Sequence, residues 1–156
     1  MFGGDELREL MRRFPAGVAV VGVSLDGERL GLTIGTLIPL SLEPPLVGFA
    51  VRREAALHEL LRRSGSFGLS LLAAGQEANA QHFARGVPPI AIWEGIDVRD
   101  TDGPPLLDGA IGWLTGRVSA EVPAGEDTFF IGEALSVEEG VRARPLVYVD
   151  QGYVTA

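Results

Sequence analysis

A chain of 156 residues that is 46% hydrophobic and 22% charged has the length and balance of one globular domain, residues 1–156, able to bury a core without staples. Its formal net charge of -8 argues against binding nucleic acid by phosphate neutralisation and against docking on anionic membranes. It has no cysteine, and all 13 basic residues are arginine, so disulfides, thiolate catalysis, a Schiff-base lysine and a P-loop lysine are excluded.

The first residues, MFGGDELREL, are charged from Asp5 onward and hold no apolar leader. The uncharged run Leu30 to Leu42 is too short to span a bilayer and contains Pro39. Both features lead us to expect a cytoplasmic protein. Leu7, Leu10, Met11 and Phe14 recur at helical spacing among charged residues, which predicts an amphipathic helix over Asp5 to Phe14. Pro15-Ala16-Gly17 ends it. Val18 to Leu25 is a β-rich run, and Asp26-Gly27 is a hairpin signal into a second strand, Arg29 to Leu37.

The stretch Gly31 to Pro45, GLTIGTLIPLSLEPP, is the most informative in the chain. It is apolar at its centre yet carries hydroxyls at Thr33, Thr36 and Ser41 and ends in a double proline. An ordinary buried strand needs none of these. A strand that runs into a tight turn and shows amides and hydroxyls to a flat, polar-edged ligand would use them all. Further strands are expected over Leu46 to Val51, Phe67 to Leu72, Phe129 to Val137 and Pro145 to Val149. A long strand is expected within Leu106 to Val122, with Gly109, Gly112 and Gly116 inside it. Helices are expected over Glu54 to Arg63 and from Gly75 to near Gly86, and a loop over Val87 to Pro105. Mostly strands with short helices between them favour an antiparallel barrel with added helices over a doubly wound sheet.

No glycines fit the GxGxxG spacing, and there is no HExxH or GxSxG. His58 and His82 fall on different predicted helices without a carboxylate at ligand spacing, so no metal site is expected. His58 reads as a solvated or rim residue, and the surface reading is also preferred for His82.

Several segments, in order and spacing, resemble the flavin reductase-like family, the short-chain flavin reductases of the FMN-binding split-barrel class. They are Phe14-Pro15-Ala16-Gly17-Val18, Gly31-Leu32-Thr33, Ser41-Leu42-Glu43-Pro44-Pro45-Leu46-Val47, Phe67, Leu71, Gln76, Phe83-Ala84, Leu107-Asp108-Gly109-Ala110, Gly125 to Gly132, Pro145-Leu146-Val147-Tyr148 and Gly152-Tyr153. The resemblance implies a mainly β fold with short helices, a split β-barrel of Greek-key type. It implies a homodimer with one flavin per subunit at the interface. It also implies hydride transfer from NADH or NADPH to FMN (or FAD), the reduced flavin passing to a partner monooxygenase. Flavin brings the hydride chemistry itself, so a chain without cysteine, lysine or a histidine pair is suited to hold it.

Carried over by position, Thr33, Ile34, Gly35, Thr36 and Leu37 would line the isoalloxazine ring, and Ser41 and Leu42 would lie near the ring or ribityl chain. Arg52 and Arg53 would face the phosphate, for which the guanidinium fork is well shaped. Asp127 and Tyr153 would lie on the nicotinamide side. Many family members carry Gly-Asp-His where this chain reads Gly125-Glu126-Asp127-Thr128. An ionised carboxylate at 127 accepts hydrogen bonds only and repels dinucleotide phosphates. Two readings therefore stand: an NAD(P)H-dependent FMN reductase, or an FMN-holding electron-transfer protein that uses NAD(P)H poorly. The loop from Gly125 to Thr128 is what separates them.

Overall fold

A computed structural model of the chain describes residues 2–85, 91–99 and 102–156. Of the loop expected over Val87 to Pro105, residues 87–90, 100 and 101 lie outside the described residues, as does Gly86, the expected end of the third helix. The elements run α1 (Gly4–Met11), β1 (Ala16–Gly17), β2 (Ala19–Leu25), β3 (Glu28–Ile34), β4 (Ile38–Leu42), β5 (Pro45–Arg52), α2 (Ala56–Ser64) and β6 (Ser66–Leu71). They continue with α3 (Glu77–Ala84), β7 (Gly112–Ala124), β8 (Asp127–Glu139), β9 (Leu146–Val149) and β10 (Gly152–Thr155).

Seven strands form one antiparallel sheet in the order β3-β2-β6-β7-β8-β5-β4, and β1, β9 and β10 form a small second sheet. The β2–β3 hairpin turns on Asp26 and Gly27, whose φ angles of 51° and 82° are those a two-residue hairpin turn needs. Leu25 therefore pairs with Glu28 and Ala19 with Ile34. The sheet curls around Val21, Val23, Leu69, Phe49, Phe67 and Phe130, all at most 1% exposed. Phe49 meets Phe67 edge-on at 5.2 Å and stacks on Phe130 at 6.1 Å, geometries that aromatic pairs favour. The two terminal sides of the curled sheet do not zip together, and the fold is a split β-barrel.

Helix α2 buries Leu57, Leu60 and Leu61 against β2, β3 and β6, and Gly65 ends it in the left-handed conformation, φ 72°. On the outer face, α3 packs against β3. Phe83 and Trp93, 4.6 Å apart, lie so close to Gly31 that a β-carbon there would come within 2.7 Å of the phenyl ring.

The structure departs from the sequence expectations in several places, among them the short strand β1 at Ala16–Gly17, where only a helix end was expected. Helix α1 stops at Met11 rather than Phe14, and none of its residues is buried. The strand expected to run to Leu37 ends at Ile34, and a separate edge strand, β4, follows. Strand β10 was not expected. Gly109 sits in a turn at φ 83° rather than in a strand. His58 is not a rim residue: it is 7% exposed and lies inside the barrel end.

Gly22 on β2 faces the loop that carries Pro105. A β-carbon at residue 22 would stand 2.3 Å from the Pro105 carbonyl oxygen, so the backbone itself would have to move. Gly22→Ala is expected to destabilise the protein by about 2–3 kcal/mol, measured by urea denaturation. A variant as stable as the wild type would show that this loop does not pack there.

Candidate functional site

β3 ends one side of the seven-stranded sheet, so its outer edge has no strand partner among the described residues. Alternate N–H and C=O groups along such an edge need some other partner. Across the gap stands β5. One residue joins the end of β3 to it: Thr36 Oγ1 accepts a hydrogen bond from the Ala50 N–H at 2.9 Å and donates to the Ala50 carbonyl at 3.3 Å. The split in the barrel is thus held open at a fixed width.

A groove of about 310 Å³ occupies this split, lined by Leu32, Thr33, Ile34, Gly35, Thr36, Ala50, Arg52, Ala55 and Asp127. Its walls are apolar, and its polar groups sit at the ends. At Arg52 it adjoins a smaller hollow of about 180 Å³, formed with Arg53, Glu54 and Glu126. At Gly35 it adjoins a second groove of about 400 Å³ that reaches Phe14, Leu37, Ile38 and Tyr148. Together these form one elongated cleft, charged at one end and aromatic at the other.

The structure brings Thr33, Ile34, Gly35, Thr36, Arg52 and Asp127 together in the first groove, with Arg53 in the hollow beside it and Leu37 in the second groove. Two of the hydroxyls already have protein partners. Thr33 Oγ1 donates to the Ala80 carbonyl at 2.7 Å, tying β3 to α3, and Thr36 Oγ1 holds Ala50. Each keeps lone-pair capacity, but their first task is to shape the cleft. Ser41 and Leu42 are not among the groove-lining residues. They sit on the edge strand β4, where Leu42 is 91% exposed. Tyr153 lies across from Tyr148, with ring centroids 5.1 Å apart, and does not itself line the grooves. Partial burial, followed by the neighbouring Tyr148, pushes the Tyr153 phenol above its ordinary range.

The charged end is built where the turn after β5 meets the β7–β8 tip. Arg52 is opposite Asp127 in the strand register. Its guanidinium reaches instead to Glu54 at 3.5 Å and Glu126 at 3.9 Å, with the side chain 57% exposed. Bridges so long and so exposed are weak, and the guanidinium can turn to an incoming anion at little cost. The Arg53 N–H donates to the Glu126 carbonyl at 3.1 Å, which fixes the turn to the tip. Among the described residues, the Arg53 guanidinium and the Asp127 carboxylate make no ion pair.

Sequence reasoning missed Ala50, Ala55 and Glu126 as contributors to the cleft. The two alanines give no chemical signal. Glu126 lies next to Asp127 in the segment already singled out. The histidines serve structure: His82 Nε2 donates to the Ile92 carbonyl at 2.6 Å, and His58 Nε2 bonds Thr128 Oγ1 at 2.7 Å. Among the described residues no three metal-ligating side chains cluster, and no helix is long and apolar enough to cross a membrane.

The chain is thus an antiparallel split barrel with an elongated groove in its gap. A family model described as "Flavin reductase like domain" matches residues 11–156, and the chain belongs to that family. It is 39% identical over 150 residues, 96% of this chain and 94% of the relative, to the reductase component of 4-hydroxyphenylacetate 3-monooxygenase from Thermus thermophilus. Its fold matches the NADH:FAD oxidoreductase of Streptomyces globisporus with a TM-score of 0.92 at 30% identity, covering 97% of this chain and 92% of that one. The same enzyme solved with NAD and FAD fragments matches with a TM-score of 0.91 at 29% identity, over 97% and 92% of the two chains.

Proposed function

We propose that this protein is an NAD(P)H-dependent flavin reductase that binds FMN or FAD in the split between β3 and β5 and supplies reduced flavin to a partner monooxygenase. The observation that carries the reading is the cleft itself: an apolar slot edged by the unpaired backbone of β3 and bordered at one end by two arginines. A flat ring with polar edges fits such a slot, and a phosphate fits its arginine end. Bound flavin supplies the hydride acceptor for the reduced nicotinamide. The chain's own residues do the rest. Leu32, Ile34 and Ala50 exclude water from the ring faces. The amides of Gly35 and Thr36, beyond the last β2–β3 pair, donate to ring oxygens and nitrogens. Leu37, Ser41 and Leu42 extend the site beyond the ring, Arg52 and Arg53 take the phosphate, and Asp127 and Tyr153 border the nicotinamide.

Two kinds of support favour the reductase over a flavin-holding protein without nicotinamide chemistry. The relatives named above are NADH-dependent or reductase components. The second groove, continuous with the first through Gly35, gives a second ring somewhere to lie against it. Dependence on a nicotinamide nucleotide also supports a cytoplasmic setting.

We further infer a homodimer. Helix α1 has eight residues, none of them buried, and a helix that short does not hold in water without a packing partner. Leu7, Leu10, Met11 and Phe14 are 48–68% exposed, and Ile38, Leu40 and Leu42 on β4 are 43–91% exposed. A second copy is the occupant that would cover both and close the outer side of the cleft. Glycines such as Gly109, Gly112 and Gly116 would let a neighbouring subunit approach closely. Gly112 and Gly116 instead admit parts of this same chain, Glu138 and Glu133 carbonyls on β8 and the Phe67 ring.

Anaerobic addition of NADH to protein with FMN is expected to bleach the flavin absorbance within many turnovers, and a flavin that stays oxidised would remove the reductase reading. Arg53→Ala is expected to weaken FMN roughly ten- to hundredfold and riboflavin little, since a charge-assisted hydrogen bond is lost only with the phosphate. Equal weakening of both in equilibrium dialysis would take Arg53 away from the phosphate. Light scattering is expected to give twice the chain mass of 16.5 kDa, and a monomer at all concentrations would contradict the dimer.

A further inference from the structure

His58 lines none of the hollows of the cleft, yet it sits where the cleft's two charged segments are fastened together. It lies in the first turn of α2 and is 7% exposed, and Thr128 is 6% exposed. One hydrogen bond of 2.7 Å joins His58 Nε2 to Thr128 Oγ1. The imidazole meets the edge of Phe130 at 5.4 Å, and Phe130 in turn stacks on Phe49. A polar ring in an aromatic core is costly unless it is hydrogen-bonded. A leucine or phenylalanine would fill the same space without that requirement. The pair therefore does something packing alone does not.

What it joins is specific. Thr128 directly follows Asp127, and its backbone is paired on both sides, to Val51 of β5 and Pro123 of β7. His58 lies in the first turn of α2, the helix into which the turn carrying Arg52, Arg53 and Glu54 leads. That turn is wound by the Ala55 N–H donating to the Arg52 carbonyl at 3.1 Å and the His58 N–H donating to the Ala55 carbonyl at 3.0 Å. Outside the barrel, the Arg53 N–H reaches the Glu126 carbonyl at 3.1 Å. Inside it, His58 reaches Thr128. Every charged group at this end of the cleft lies on one of these two segments; the β5–β8 ladder joins them as far as Arg52 and Asp127, and the two bonds carry that join past the ladder to the turn and the helix.

We propose that His58 is a positioning residue: through Thr128 it fixes the β7–β8 tip against the arginine turn, and so sets the spacing of Arg52 and Arg53 from Glu126 and Asp127. It touches neither nucleotide. This rests on the reductase reading for its kinetic consequence and on the geometry alone for its structural one. A hydroxyl bonded to a neutral or cationic imidazole contributes through position, so loosening it affects how the nucleotides are held more than how fast hydride moves once they are held.

The test uses the full chain with Thr128→Val, which keeps the volume and removes the hydroxyl, Thr128→Ser, which restores it, and His58→Phe. Three readings are taken: melting temperature, the separate KM and kcat values for FMN and NADH, and exchange of the Arg53 amide by NMR. Thr128→Val and His58→Phe are expected to raise both KM values about fivefold while kcat changes by less than about twofold, and to speed Arg53 exchange about fivefold. Thr128→Ser is expected to return all of these to wild type. Lower melting temperatures with unchanged KM and unchanged Arg53 exchange would reduce the pair to core packing and overturn the proposal. If His58→Phe does not fold, the isosteric Thr128→Val decides. If the wild type oxidises no NADH, the reductase reading falls, and Arg53 exchange with FMN affinity still decides the positioning role.

Discussion

The structure depends on a sheet that stops short of closing. A complete barrel would satisfy every backbone group by strand pairing. Here β3 is an edge strand, and the part of β5 that β4 leaves uncovered, beyond Gly48, stands across a gap from it. The Thr36 hydroxyl spans that gap to both backbone groups of Ala50. It sets the width of the opening while leaving the neighbouring edge groups of β3 available. The aromatic core of Phe49, Phe67 and Phe130 holds the rest of the wall rigid, so the gap is a built feature and not a fraying edge. In the proposed reading a flat ligand of the right thickness would complete the hydrogen bonding that the fold leaves undone.

Charge is arranged against the background of the whole chain. The protein is acidic, at -8, and yet two adjacent arginines border the cleft. The long, exposed bridges of Arg52 to Glu54 and Glu126 keep the arginine end near neutral when empty and cost little to break. Asp127 opposes them from the β8 side. In the proposed reading an anionic nucleotide would be attracted at one end and resisted beside it, which would orient it along the cleft.

The sequence spoke clearly where the chain obeys local rules. The Asp26-Gly27 hairpin, the apolar face of α2 and the strands of the barrel wall follow from turn chemistry and periodicity. The segment from Gly31 to Pro45 was legible as a binding stretch because its hydroxyls and prolines do not suit a plain strand. Strand β4 was hidden by Pro39, which a sheet tolerates here because β4 is an edge strand. β10 was hidden because its hairpin turns on Asp150 and Gln151 at φ 51° and 63°, residues that do not announce such a turn. His58 was misplaced because Glu59 beside it drew the eye to solvent, although it lies three residues before the buried Leu61, on the same helix face. The partners of Thr33 and Thr36, 47 and 14 residues away, belong to tertiary structure and leave no trace in local sequence.

The central claim is that flavin enters the split between β3 and β5. Amide hydrogen exchange of the protein with and without FMN tests it most directly, since the groups that should gain a partner are backbone N–H groups. The account predicts slowed exchange first at residues 33–37, with residues 50–55 and the β7–β8 tip around Asp127 following as the cleft is filled. Protection that appears elsewhere, leaving residues 33–37 unchanged, would contradict it.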